Sequence, residues 1–86
     1  MREEQNKRYL ASPQKMELLM RDRSFRQIEA ERRERLLRAI ARLPGARELE
    51  GEAVFDAALD EAVAHEALSP LSDEERTLIR GYLTVR

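Results

Sequence analysis

His65 is the only histidine of the chain, and Glu61, four residues earlier, shares its helical face at a spacing that can hold a divalent metal. Asp60 or Glu66 would be the nearest further donors. A metal needs a third and a fourth ligand, and the absence of cysteine removes every thiolate. The expectation is therefore an exposed histidine on the rim of an alanine-rich helix, with no metal site and no cofactor. A Ser/His/acid triad would have to recruit Ser12, Ser24, Ser69 or Ser72, all better placed as caps or turn residues. Asp56, Asp60 and Glu61 follow the solvent side of a helix, and Gly45 and Gly51 are too isolated to cradle a phosphate. No catalytic residue is assigned; a non-enzymatic chain without a small-molecule substrate is expected.

Arginine is the residue type with most left to explain. Arg32, Arg33, Arg35, Arg38 and Arg42 crowd one stretch, with Arg21, Arg23 and Arg26 just before it, and guanidinium groups on a rigid helix bind phosphate well. Five acids precede an arginine by four residues: Glu17/Arg21, Asp22/Arg26, Glu29/Arg33, Glu31/Arg35 and Glu34/Arg38. Such pairs contribute roughly 0.2–0.5 kcal/mol each and use up charge locally. Neither aromatic interleaving of the kind that binds single strands nor a recognisable helix-turn-helix supports a nucleic-acid surface, no zinc module is present, and the pI of about 5.9 argues against one. Arg23, Arg32, Arg35, Arg38 and Arg42 are retained as candidates for a charge interface or nucleic-acid contact. Arg32 stands apart because it interrupts the stripe of Phe25, Ile28, Leu36 and Leu43. Either its stem snorkels to water or it meets an acid of the second half or of another chain, with Glu52, Asp56, Asp60 and Glu66 available.

The elements that position these groups are helices. Residues 1–43 hold 12 Lys+Arg against 7 Asp+Glu, and residues 44–86 hold 4 against 10, so a basic and an acidic half are concealed in a net charge of −1. The halves either attract each other or face different partners. Ser12-Pro13 opens a helix that meets no glycine or proline until Leu43-Pro44-Gly45. Leu18, Phe25, Ile28, Leu36, Ala39, Ile40 and Leu43 share one side of a helical wheel, whereas Met16, Leu19 and Met20 point elsewhere. A bend near Asp22 to Ser24, with a Ser24-x-x-Gln27 capping box, reconciles the two directions; a single helix with two contact faces is the alternative. A second helix over Glu52 to Leu68 carries Phe55, Ala58, Leu59, Ala62 and Val63 on one face. Ser72 and Glu75 form a capping box for a last helix bearing Leu78, Ile79, Tyr82 and Leu83. No strand-like alternation is found.

These features define an all-α fold, a small bundle of three to four helices with a long or bent N-terminal helix, in one domain over residues 1–86. Residues 1–11 are read as a mobile or frayed lead-in, 12–43 as the basic helical half, 44–51 as a loop and 52–86 as the acidic helical half. A chain of 86 residues with 5% aromatics builds a thin core, which dimerisation would relieve. No run is apolar enough for a membrane span and the start lacks a signal-peptide stretch, so a cytoplasmic protein without a membrane partner is expected. Tyr9, Leu10, Met16, Leu19 and Met20 form the candidate partner-binding face; the competing reading is that this segment folds back on the last helix and completes the core. The expected function is protein binding by a small regulator, adaptor or inhibitor, or self-association as a homo-oligomer. The alternative is a dimeric nucleic-acid-associated regulator of antitoxin type that uses the arginine-rich helix.

Overall fold

The computed structural model describes residues 7–85. Helix α1 (Pro13–Arg21) starts where expected: the Ser12 hydroxyl accepts the Lys15 N–H, and Pro13 occupies the first turn, where its missing N–H costs nothing. The chain then breaks without glycine or proline. Asp22 adopts extended backbone, ends α1 and accepts the Phe25 N–H as cap of the one-turn helix α2 (Arg23–Arg26). The expected bend is there, but its cap is Asp22 rather than Ser24, and a carboxylate also complements the positive end of the helix. A second, unexpected break follows at Gln27 to Glu29, where the Glu29 side chain accepts the Arg32 N–H and opens α3 (Ala30–Ala41).

Burial explains the first break. Leu19 and Phe25 are both fully buried, yet on an uninterrupted helix they would point about 120° apart. Ending α1 at Asp22 resets the phase so that both reach the core. The same reset turns Leu18, expected beside Phe25 and Leu36, outward to 54% exposure.

Helix α4 (Glu52–His65) buries Phe55, Leu59, Ala62 and Val63 and packs against α3 through Leu36, Ala39 and Ile40. Ala62 is buried and Ala58 packs against the core, so small side chains stand on the packed face of α4. At its C-terminus the Leu68 N–H reaches the Val63 carbonyl and the Ala67 N–H the Ala64 carbonyl, a Schellman closure that places Ala67 at φ 58°. Helix α5 (Asp73–Leu83) opens with both arms of the expected capping box: the Ser72 hydroxyl accepts the Glu75 N–H, and the Glu75 carboxylate accepts the Ser72 N–H. Ile79 and Leu83 of α5 are buried, and α5 packs against α1. No helix among the described residues is long and apolar enough to cross a membrane.

Two expectations are corrected near the N-terminus. Residues 7–11 are not a frayed lead-in, and the fold is not purely helical. Strand β1 (Arg8–Tyr9) pairs antiparallel with β2 (Leu49–Glu50), with Tyr9 opposite Leu49. Thr84 lies opposite Tyr9 on the other edge, where the Leu10 N–H donates to Leu83 and the Val85 N–H to Arg8. Tyr9 is thus held between two chain segments, and its ring stacks on Phe55 with centroids 4.3 Å apart. Residues 1–6 of the expected lead-in lie outside the described residues. Among the described residues the architecture is mostly helical, with five helices, one of a single turn, where three to four were expected, and a two-stranded sheet.

The left-handed Ala67 is a position where glycine fits better. Ala67→Gly removes the Cβ clash of that conformation and is expected to raise stability by about 0.5–1 kcal/mol. The measurement is the urea midpoint at unchanged slope; an unchanged or lower midpoint contradicts the assignment.

Candidate functional site

Arg32, Arg35, Arg38 and Arg42 recur along one side of α3, and the fold spends them on itself. Arg32 is held on all three guanidinium nitrogens. Nε and Nη2 grip the Glu75 carboxylate at 2.9 and 2.8 Å, Nη1 donates to the Ser69 hydroxyl at 2.8 Å, and Nη2 also reaches the Ser69 and Pro70 carbonyls. Arg38 and Arg42 both approach the Glu66 carboxylate, Arg42 at 3.1 Å and Arg38 at 3.9 Å. Arg35 pairs with Glu31 and donates to the Glu66 carbonyl. Three cations thereby surround the negative end of α4, where the helix dipole favours them, and the fourth ties down the turn into α5.

Of the two destinies for Arg32, the acid of the second half is the one observed. The partner is Glu75 rather than Glu52, Asp56, Asp60 or Glu66. Glu52, Asp56 and Asp60 line α4 at intervals of four and take Arg80 and Arg76 from α5 instead. The opposite-charge halves therefore attract each other, through Arg32/Glu75, Arg38/Glu66, Arg42/Glu66 and Arg8/Glu48. Of the five candidate arginines, only Arg23 makes no ion pair with a described residue. Of the five anticipated local pairs, Glu17/Arg21 and Glu31/Arg35 form. Asp22 and Glu29 became caps instead, and Arg33 donates to the Arg26 and Ile28 carbonyls, closing the turn after α2.

His65 is exposed, beside a small cleft between α3 and α4 that also contains Arg42 and Glu61. Among the described residues no three potential ligands gather. The Ser12 and Ser72 hydroxyls are committed to caps and the Ser69 hydroxyl to Arg32.

The candidate apolar face divides. Tyr9 and Leu19 are core residues, 2% and 0% exposed, Leu10 is half-buried and Met16 packs on the core. Tyr9 and Leu19 therefore do not offer a surface, because β1 and α1 fold back onto α5 and Phe55, as the competing reading had it. Met20 remains outside at 48% exposure.

The apolar surface that the fold does leave open runs along α5. One end is a trough of about 670 Å³ between α5 and the Ser24–Ile28 segment. A second hollow of about 780 Å³ lies between α5 and α1, walled by Lys15 and Leu18. Thr77 and Leu78 line both, so the two hollows adjoin along α5. Its floor is a single helical face of Thr77, Leu78, Gly81 and Tyr82, with Ile28, Leu18 and Val85 at the sides. Acids Asp73 and Glu74 stand at one end, and Lys15, whose Nζ donates to the Thr84 carbonyl at 3.0 Å, at the other. The walls are pinned by the Tyr82 hydroxyl, which donates to Asp22 at 2.6 Å. That bond holds the Asp22 carboxyl below its ordinary range, helped by the Phe25 N–H, and raises the Tyr82 hydroxyl.

Sequence reasoning missed this groove although a signal existed. Leu78, Ile79, Tyr82 and Leu83 make a stripe too wide for one neighbour: Ile79 and Leu83 are buried, whereas Leu78 and Tyr82 pack at the edge of the core and stay partly exposed. Comparisons with protein-family models, with curated proteins and with solved structures return no match to this chain.

The Arg32 hydrogen bonds, foremost, hold the Glu75 carboxyl below its ordinary range. A depressed carboxyl stabilises the fold above its unfolded pKa, and that contribution is lost as pH falls through the folded value. Glu75→Gln keeps a cap-competent side chain but removes the charge. It is expected to cost about 1–3 kcal/mol at neutral pH, with the gap to the unmodified chain closing as the solution is acidified below the carboxylate range. Denaturant unfolding over that pH series is the check; a gap that stays constant contradicts the pair's electrostatic role.

Proposed function

We propose that this chain is a non-enzymatic protein-interaction module, a small regulator, adaptor or inhibitor working in the cytoplasm, whose docking surface is the groove along α5. The observation that carries this reading is the pair of adjoining apolar hollows bounded by Leu18, Ile28 and Leu78, with unlike charges at the two ends. Contiguous exposed apolar surface is costly to solubility, and where it is rimmed by charge it marks a binding site. The partner segment is a helix laid alongside α5, with apolar anchors at intervals of three and four residues and charges that complement Asp73, Glu74 and Lys15. The non-enzymatic reading is supported by the commitment of Ser12, Ser69 and Ser72 to structural hydrogen bonds.

The proposal is tested by capture from the native host with the tagged chain, scoring every protein recovered, an untagged copy of the chain included. Leu18→Glu and Thr77→Arg place charges in the groove at exposed positions, and Val54→Glu places one at an exposed position on α4. Recovery by the first two is expected to fall at least about tenfold, the effect of losing a central anchor, while Val54→Glu behaves like the unmodified chain. Equal recovery by all four proteins rules the groove out as the contact.

A further inference from the structure

We infer that the occupant of the α5 groove is a second copy of this chain, laid antiparallel across a two-fold axis that passes close to Leu78 and Ile79. This rests on reading the groove as a docking surface. A two-fold contact must be complementary to itself, because each residue meets, on the other copy, a residue of the same patch. Three features of the groove satisfy that condition in one register.

The first is charge. Asp73 and Glu74 mark one end and Lys15, bonded to the Thr84 carbonyl, marks the other. Residues 74 and 84 are equidistant from 79, so an antiparallel copy brings Glu74 to the partner subunit's Lys15 and Lys15 to the partner subunit's Glu74. A parallel copy would align like with like. The second is closeness of approach. Residues 77 and 81 are also symmetric about 79, which sets Thr77 against the partner subunit's Gly81. A Cβ built on Gly81 meets nothing within 4 Å, so the backbone is uncovered where two helices would approach most closely. The third is shape. Leu18 projects at 54% exposure from the wall beside that uncovered backbone, so the patch carries both a knob and the hollow to receive it.

The test combines mass with a charge swap. In sedimentation across roughly 1 to 200 micromolar, the range in which a groove-sized contact of micromolar affinity is populated, the unmodified chain is expected to pass from the monomer mass of 10.0 kDa to twice that value. Lys15→Glu alone and Glu74→Lys alone each bring like charges together twice per dimer and are expected to stay at the monomer mass. Their equimolar mixture pairs unlike charges at both contacts, and the doubled mass returns. Because Lys15 also bonds Thr84, Leu18→Glu at an exposed position serves as a second variant; helical circular dichroism equal to that of the unmodified chain, with dimer affinity at least about tenfold weaker, is expected. An unmodified chain that remains at 10.0 kDa throughout, or single charge variants that dimerise as it does, overturns the inference. If that monomeric chain still loses its captured host proteins on Leu18→Glu, self-pairing fails while the groove stands as a docking surface. If capture is unaffected as well, both fail.

Discussion

The placement of the acidic half depends on the pair Arg32 and Glu75. Their side chains are 20% and 14% exposed, so both charges are largely removed from water, and a desolvated pair is worth its cost only when its hydrogen bonds are saturated. Here they are: both carboxylate oxygens and all three guanidinium nitrogens are engaged. The same Glu75 oxygen that takes Nη2 also accepts the Ser72 N–H. One carboxylate therefore fixes where α5 begins and which element it begins against. The turn at Ser69 and Pro70 follows, because its hydroxyl and carbonyls are bound to the same guanidinium.

The other end of α5 is fixed by different means. Residues 7–10 lie between β2 and the segment after α5, so the last described residues of the chain are hydrogen-bonded to the first. Tyr9 adds its stack on Phe55, which couples this small sheet to α4. Because α1 follows β1 within a few residues, its position relative to α5 is set by the sheet and then secured by Lys15 on Thr84 and Asp22 on Tyr82. The groove's wall is thus tied to its floor at both ends, by Lys15 on Thr84 and by Tyr82 on Asp22.

Local chemistry was legible in the sequence and long-range pairing was not. Ser12-Pro13, the Ser72/Glu75 box and the Phe55/Leu59/Ala62/Val63 face depend on residues within a few positions of one another, and each is found as expected. The bend is legible from the changed direction of Leu19 against Phe25, but its cap is not, because Asp22 is equally well spaced to pair with Arg26. Strands of two residues carry no alternation to detect, and Tyr9 and Leu49 are joined by a pairing forty positions apart. Arginine partners failed for the same reason. Four-residue spacing favours Glu29/Arg33 and Glu34/Arg38 only while nothing better competes, and the cap of α3 and the Glu66 carboxylate compete successfully. One long-range signal did exist: Glu52, Asp56 and Asp60 against Arg76 and Arg80 are two opposite strips of the same period, which implies that α4 and α5 lie side by side; the observed pairing, Arg76 with Asp60 and Arg80 with Glu52, makes them antiparallel.

The segregation of charge between the halves, which first suggested an interface, turns out to be used in part within the molecule. Arg32, Arg38 and Arg42 are bound to Glu75 and Glu66, and Arg8 to Glu48, so part of the asymmetry is answered across the halves, while Arg76 and Arg80 answer acids of their own half. What recognition requires must then come from surface the fold could not close. Helix α5 has apolar residues over more of its circumference than α1 and the core can cover, and the break at Asp22 that buries Leu19 and Phe25 turns Leu18 outward beside the uncovered part. The groove is thus a by-product of rephasing one helix. Asp73, Glu74 and Lys15 at its ends give it a direction: a helix that enters with its charges reversed gains apolar contact but meets repulsion at both ends, and orientation is selected more sharply than affinity.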